Sequence, residues 1–124
     1  MMKTLRFILL LSLVIPLAGK AQTEKIQAYY FHNAIRCETC RTVEAEAKAD
    51  LQELYGNKVN FKALNLEDKS TQELAEKLSV SGQTLLIVKG NKKVNLTNEG
   101  FLYAVTNPEK FKAIIKEKVD PLIN

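Results

Sequence analysis

The chain of 124 residues has no tryptophan, one histidine, two cysteines, three prolines and five glycines. Each scarcity narrows the function. Two cysteines cannot build a disulfide framework, and one histidine beside them leaves a closed four-coordinate zinc site short of ligands unless a second protomer supplies one. The few glycines form no Gly-rich phosphate loop, so no nucleotide-binding signature is present. No repeat and no low-complexity tract interrupts the chain. The longest apolar run, Phe7 to Leu17, is shorter than the roughly 20 residues that span a bilayer.

That run has another meaning. Met1-Met2-Lys3-Thr4-Leu5-Arg6 places basic residues before it, and Gly19-Lys20-Ala21 closes it with small ones, which is the layout of a secretory signal peptide. Residues 1–21 are expected to be cleaved after Ala21, leaving 22–124 as a single small domain, periplasmic or secreted, with no stable membrane anchor. No cysteine follows the run closely, so a lipid-modified N-terminus is not indicated. Cleavage removes Lys3, Arg6 and Lys20 and no acid, so the mature chain is nearly neutral. Its charge therefore asks for no polyanion, and nucleic acid is not an expected partner.

Along the mature chain, Ile26 to Phe31 is aromatic and apolar, stops at His32-Asn33, and reads as a strand whose Tyr29, Tyr30 and Phe31 belong to the core. Cys37 to Leu54 has no Gly or Pro and ends at Tyr55-Gly56-Asn57, the signature of a helix with Val43, Ala47, Leu51 and Leu54 on its buried stripe. Alternation of Val59, Phe61 and Ala63 predicts a second strand over 58–66. Ser70-Thr-Gln-Glu73 matches a capping box, so a second helix is expected from there to about Leu78. Thr84 to Val88 reads as a strand covered on both faces, Lys89-Gly90-Asn91-Lys92 as a hairpin turn, and 93–97 as its return strand. Residues 98–106 are too apolar for a free loop and fit no element clearly. Asn107-Pro108 opens a last helix that buries Phe111, Ile114, Ile115 and Val119. The order implies an α/β fold: a central mixed sheet, largely parallel with an antiparallel edge, and helices on both faces.

The chemistry concentrates in Phe31-His-Asn-Ala-Ile-Arg-Cys37-Glu-Thr-Cys40-Arg41. The cysteines fall where the first strand has ended and the first long helix begins. A spacing of three puts both sulfurs on one side of the first turn, within reach of a disulfide. The positive end of the helix dipole favours the Cys37 thiolate, Arg36 and Arg41 act in the same sense, and Glu38 opposes them. The mechanism this implies is thiol-disulfide exchange without a cofactor: Cys37 attacks a partner sulfur and Cys40 resolves the mixed disulfide. An inert staple is the bland alternative, although so small a loop adds little by chain entropy. A second alternative is a binding module that holds a soft metal or metalloid, such as arsenite, between Cys37 and Cys40. His32 is a candidate proton acceptor for the resolving thiol, against an ordinary packed histidine.

With these residues in view, the strand order and the placement of C-x-x-C resemble the thioredoxin superfamily. Residues 29–40, Tyr-Tyr-Phe-His-Asn-Ala-Ile-Arg-Cys-Glu-Thr-Cys, are similar to small exported thioredoxin-like proteins of the ArsF type, also described as a nitrophenyl compound nitroreductase subunit. The resemblance implies a thioredoxin-like fold over residues 24–122 and dithiol redox activity at Cys37 and Cys40, with a partner protein that carries a thiol or disulfide. As a nitroreductase subunit the chain would be an electron-passing partner; the arsenic-linked name points to metalloid resistance. Three features depart from the thioredoxin pattern. Arg36, Glu38 and Thr39 stand where Trp, Gly and Pro are usual; Tyr30 or Phe31 stands at the buried acid; and Gln83 replaces the proline before Thr84. A cis bond before a non-proline residue costs about 2.5 to 4 kcal/mol, so the Gly82–Gln83 bond is expected to be trans.

Overall fold

The computed structural model describes residues 25–123; the expected signal peptide lies outside them. Four strands form one sheet in the order β2-β1-β3-β4: β1 (Ile26–His32), β2 (Val59–Asn65), β3 (Thr84–Lys89) and β4 (Lys92–Asn95). Strand β1 pairs in parallel with β2 and antiparallel with β3, and β3 turns back into β4 through Gly90-Asn91. The helices are α1 (Glu38–Tyr55), α2 (Lys69–Lys77), α3 (Thr97–Tyr103) and α4 (Pro108–Ile123).

Strand alternation divides the core. Ile26, Ala28 and Tyr30 of β1 and Leu85 and Ile87 of β3 join Val43, Ala47 and Leu51 of α1 and Phe111, Ile115 and Val119 of α4 in one buried cluster. Phe31 and Leu86 are buried outside that cluster. On their side of the sheet, Thr71 and Leu74 of α2 line a cavity together with Tyr29 and Leu64. The helices thus cover both faces, as the pattern of elements implied, but the sheet is not largely parallel. Only β1 and β2 run in parallel, because the α2 connection returns the chain to the end of the sheet where β2 finished and β3 runs back antiparallel to β1. Tyr55 Oη donates to Asp120 Oδ1 at 2.8 Å, and Lys112 pairs with Glu53 at 2.7 Å, so polar contacts also join α1 to α4.

Most elements match their sequence signals within a residue or two, and Asn107 caps α4 by accepting from the Lys110 N–H at 3.2 Å. The capping box does not form. Helix α2 begins one turn's fraction earlier, with Asp68 at its N-cap, so Ser70 and Glu73 are already inside it. Ala63, which alternates with Val59 and Phe61 on one face, is exposed: β2 is an edge strand, and α1 lines its Val59–Phe61 end through Lys48 and Leu51. The ambiguous segment after β4 is mostly the short helix α3. Its Gly100 has a steric reason, because a Cβ there would lie 2.9 Å from Val43 Cγ1 and 3.4 Å from Phe111 Cζ. Only a hydrogen at that position lets α3 seat between α1 and α4.

Candidate functional site: a dithiol at the start of α1

Strand β1 ends at His32, four residues cross the sheet end, and Cys37 becomes the N-cap of α1. Cys37 is exposed while Cys40, in the first turn, retains 5% of its surface. The two are joined as a disulfide with Cα atoms 5.1 Å apart. Cys37 Sγ also accepts from the Cys40 N–H at 3.0 Å. A helix N–H and the positive end of an 18-residue helix therefore point at this sulfur, an arrangement that favours its thiolate once the disulfide opens.

Arg36 is held beside Cys37 by two partners. Its Nη1 donates to both Glu44 carboxylate oxygens at 2.9 Å, and its Nη2 lies 2.6 Å from His32 Nε2. His32 is buried, and its Nδ1 lies 2.9 Å from the Asn33 carbonyl. Arg36 Nε also donates to His32 Nδ1 at 3.2 Å, so the guanidinium lies against both ring nitrogens. The guanidinium that the spacing placed at the cysteines is thus largely shared with Glu44. Arg41 and Glu38 are exposed on the first turn of α1.

Beneath the cysteines stands Tyr30 rather than an acid. Of the two positions open from sequence, Tyr30 faces α1 and Phe31 the opposite side of the sheet. The Tyr30 hydroxyl donates to the Cys40 carbonyl at 3.0 Å and accepts from Gln83 Nε2 at 3.3 Å. Burial raises the Tyr30 pKa, partly opposed by the Gln83 hydrogen bond, so the phenol stays protonated. Gln83 belongs to the loop before β3, where Ser79 has φ of 58°; the described residues contain no cis peptide bond, so the Gly82–Gln83 bond is trans. Cys37, Cys40, Arg36, His32 and Gln83 accordingly converge on one end of the sheet.

One buried carboxylate escaped the sequence reading. Asp50 lies on the buried stripe of α1, and its Oδ2 has no hydrogen-bond partner among the described residues. The signal was available as a single acid one turn beyond Ala47 on an otherwise apolar stripe. It sits ten residues past Cys40, about 15 Å along the helix, too far to serve the sulfurs. Burial pushes its carboxyl up to about 6, with Glu46 adding to the rise and Lys112 opposing it. The folded protein thus binds an extra proton above the ordinary value of 3.8. That contribution is present at lower pH and lost as pH rises through about 6. Asp50→Asn is expected to raise unfolding free energy by about 1–3 kcal/mol near pH 8 and to leave it almost unchanged near pH 4. Urea titrations at both values check this; an equal effect at both would show that the charge is not the cause.

Among the described residues no three His, Cys, Asp or Glu side chains group so as to hold a metal ion, and no helix is long and apolar enough to cross a membrane. No family model and no curated protein matches the chain. Solved structures similar to it include thioredoxin f2 of Chlamydomonas reinhardtii, at 20% identity over 79% of this chain and 82% of that one, with a TM-score of 0.49. A Fasciola hepatica thioredoxin matches at 21% identity over 76% and 81%, with a TM-score of 0.49. A Trypanosoma brucei brucei thioredoxin matches at 18% over 78% and 77%, with a TM-score of 0.48. The fold is thioredoxin-like. Its marks are the strand order β2-β1-β3-β4, one parallel and two antiparallel pairings, and a helix that starts at the C-x-x-C.

Proposed function

We infer that the protein is an exported dithiol carrier that exchanges disulfides, or passes electrons, through Cys37 and Cys40 with a partner protein outside the cytoplasm. The observation that carries the chemistry is the asymmetry of the pair: an exposed sulfur at a helix N-cap bonded to a buried one in the first turn. Such a pair has one sulfur that a partner can reach and one that closes the ring behind it. Export is supported by the basic, apolar and small-residue segments of residues 1–21. The resemblance to the ArsF type and to a nitroreductase subunit fits this reading as an electron-passing partner, since the chain carries no nucleotide signature of its own.

After reduction, a thiol-reactive probe is expected to label Cys37 at least about tenfold faster than Cys40, because both exposure and thiolate character favour it. Peptide mapping after timed quenching reads the ratio. Equal, slow labelling would remove the exchange reading. Tight stoichiometric uptake of arsenite by the reduced protein, lost in Cys37→Ala, would instead favour the two-thiolate binding module.

A further inference from the structure

An exposed attacking sulfur explains how exchange begins; the resolving step needs a separate account. Cys40 is buried, and the polar side chain under it is a phenol. Tyr30 is fully buried at the centre of the sheet, so its hydroxyl joins three segments: β1, the first turn of α1 that follows it, and the sequence-remote loop before β3. Its proton is committed to the Cys40 carbonyl, and its lone pair to the Gln83 amide. The ring nitrogens of His32 are occupied by Asn33 and Arg36. No carboxylate hydrogen-bonds to either Tyr30 or His32 among the described residues.

We propose that Tyr30 is the positioning residue for resolution, fixing the first turn of α1 so that Cys40 Sγ faces Cys37 Sγ when a partner is bound through a mixed disulfide. The proposal rests on the exchange reading above. The Cys37 thiolate bonds to one sulfur of the partner disulfide, and the other partner sulfur leaves with the electron pair and takes a proton from water. The Cys40 thiol then loses its proton to water, its sulfur bonds to Cys37 Sγ, and the bond between Cys37 and the partner breaks. The second partner sulfur leaves as a thiolate and is protonated. Two electrons and two protons have passed to the partner, and Cys37–Cys40 is oxidised. Tyr30 exchanges no proton in this sequence. What it supplies is geometry, because an intramolecular attack is fast only when the reacting atoms are already aligned.

The first turn of a helix is where such help counts. Its N–H groups lack helical partners and it frays first, so an anchor from the sheet beneath restricts where Cys40 can swing. Gln83 acts one step further back, holding the hydroxyl toward the carbonyl.

The test uses the full reduced protein and one equivalent of an aromatic disulfide that releases a coloured thiol. The first release reports attack by Cys37, and the second reports closure by Cys40. Tyr30→Phe is expected to leave the first rate within about twofold and to slow the second about fivefold, the effect of one lost hydrogen bond. Gln83→Leu, which keeps Tyr30 in the core, is expected to slow only the second release and by less. The double variant should be no slower than Tyr30→Phe alone, because both changes act through one hydroxyl. An unchanged second rate in Tyr30→Phe, equal slowing of both steps, or independent effects in the double variant would each overturn the assignment. Failure of the exchange reading itself looks different: wild-type protein would then give no prompt first release.

Discussion

Cys37→Ser is expected to lose exchange with disulfides by about a thousandfold or more, whereas Cys40→Ser retains the first attack and stops at the mixed disulfide. The asymmetry follows from placement. Cys37 is exposed at the helix N-cap with a backbone N–H directed at its sulfur, and a serine hydroxyl, unlike a thiol, does not ionise there to give a nucleophile. Cys40 retains 5% of its surface, so in the wild type it meets only a sulfur already attached to Cys37. Removing it leaves the partner bound. Incubation of Cys40→Ser with a disulfide-bearing protein, quenching by alkylation and intact-mass analysis should show an adduct through Cys37. Adducts of equal abundance in both single variants would contradict the division of labour between the two sulfurs.

Phe111→Ala is expected to lower unfolding free energy by about 3–5 kcal/mol, a large fraction of the roughly 5–15 kcal/mol that holds a domain of this kind. Phe111 is fully buried and is among the largest side chains of the main core cluster. It sits where α4 and α3 meet α1: the space that a Cβ at Gly100 would occupy is bounded by Phe111 and Val43 together. A cavity there cannot close without shifting α3, whose backbone is already seated against Val43. Urea unfolding should show a lower midpoint with an unchanged slope. Leu102→Ala, on the same short helix but 59% exposed, is the control and should change stability by less than about 0.5 kcal/mol. Equal losses in the two variants would refute this account of the core. Val43 lies one turn beyond Cys40, so the packing that fixes α4 also supports the helix carrying the dithiol.

Much of this was legible in the chain because the signals are local. Apolar spacing in Cys37 to Leu54 marks α1 and its buried face; Gly56, with φ of 56°, marks its end. The run Thr84 to Val88 marks a buried strand. Where local signals compete, they decide less. Asp68 and Ser70 are both favourable N-cap types two residues apart; the helix places Asp68 at the N-cap position, without a side-chain cap hydrogen bond. Asp50 satisfies the helical period while contradicting its polarity, and a pattern of apolar residues alone passes over it.

The residues alone determined that a C-x-x-C opens a long helix after a strand, and with it the dithiol, because helix starts and cysteine spacing are properties of neighbouring positions. Only the tertiary structure decided what stands behind that dithiol. Tyr30 and Gln83 are 53 positions apart, and their meeting depends on the antiparallel pairing of β1 with β3, which sets Phe31 opposite Thr84 and brings the preceding loop to Cys40. That register is set by many side chains burying themselves at once, so no short stretch encodes it. Arg36 is a more local case: its charge looked free beside Cys37, and the turn from β1 into α1 places Glu44 and His32, eight and four positions away, against it.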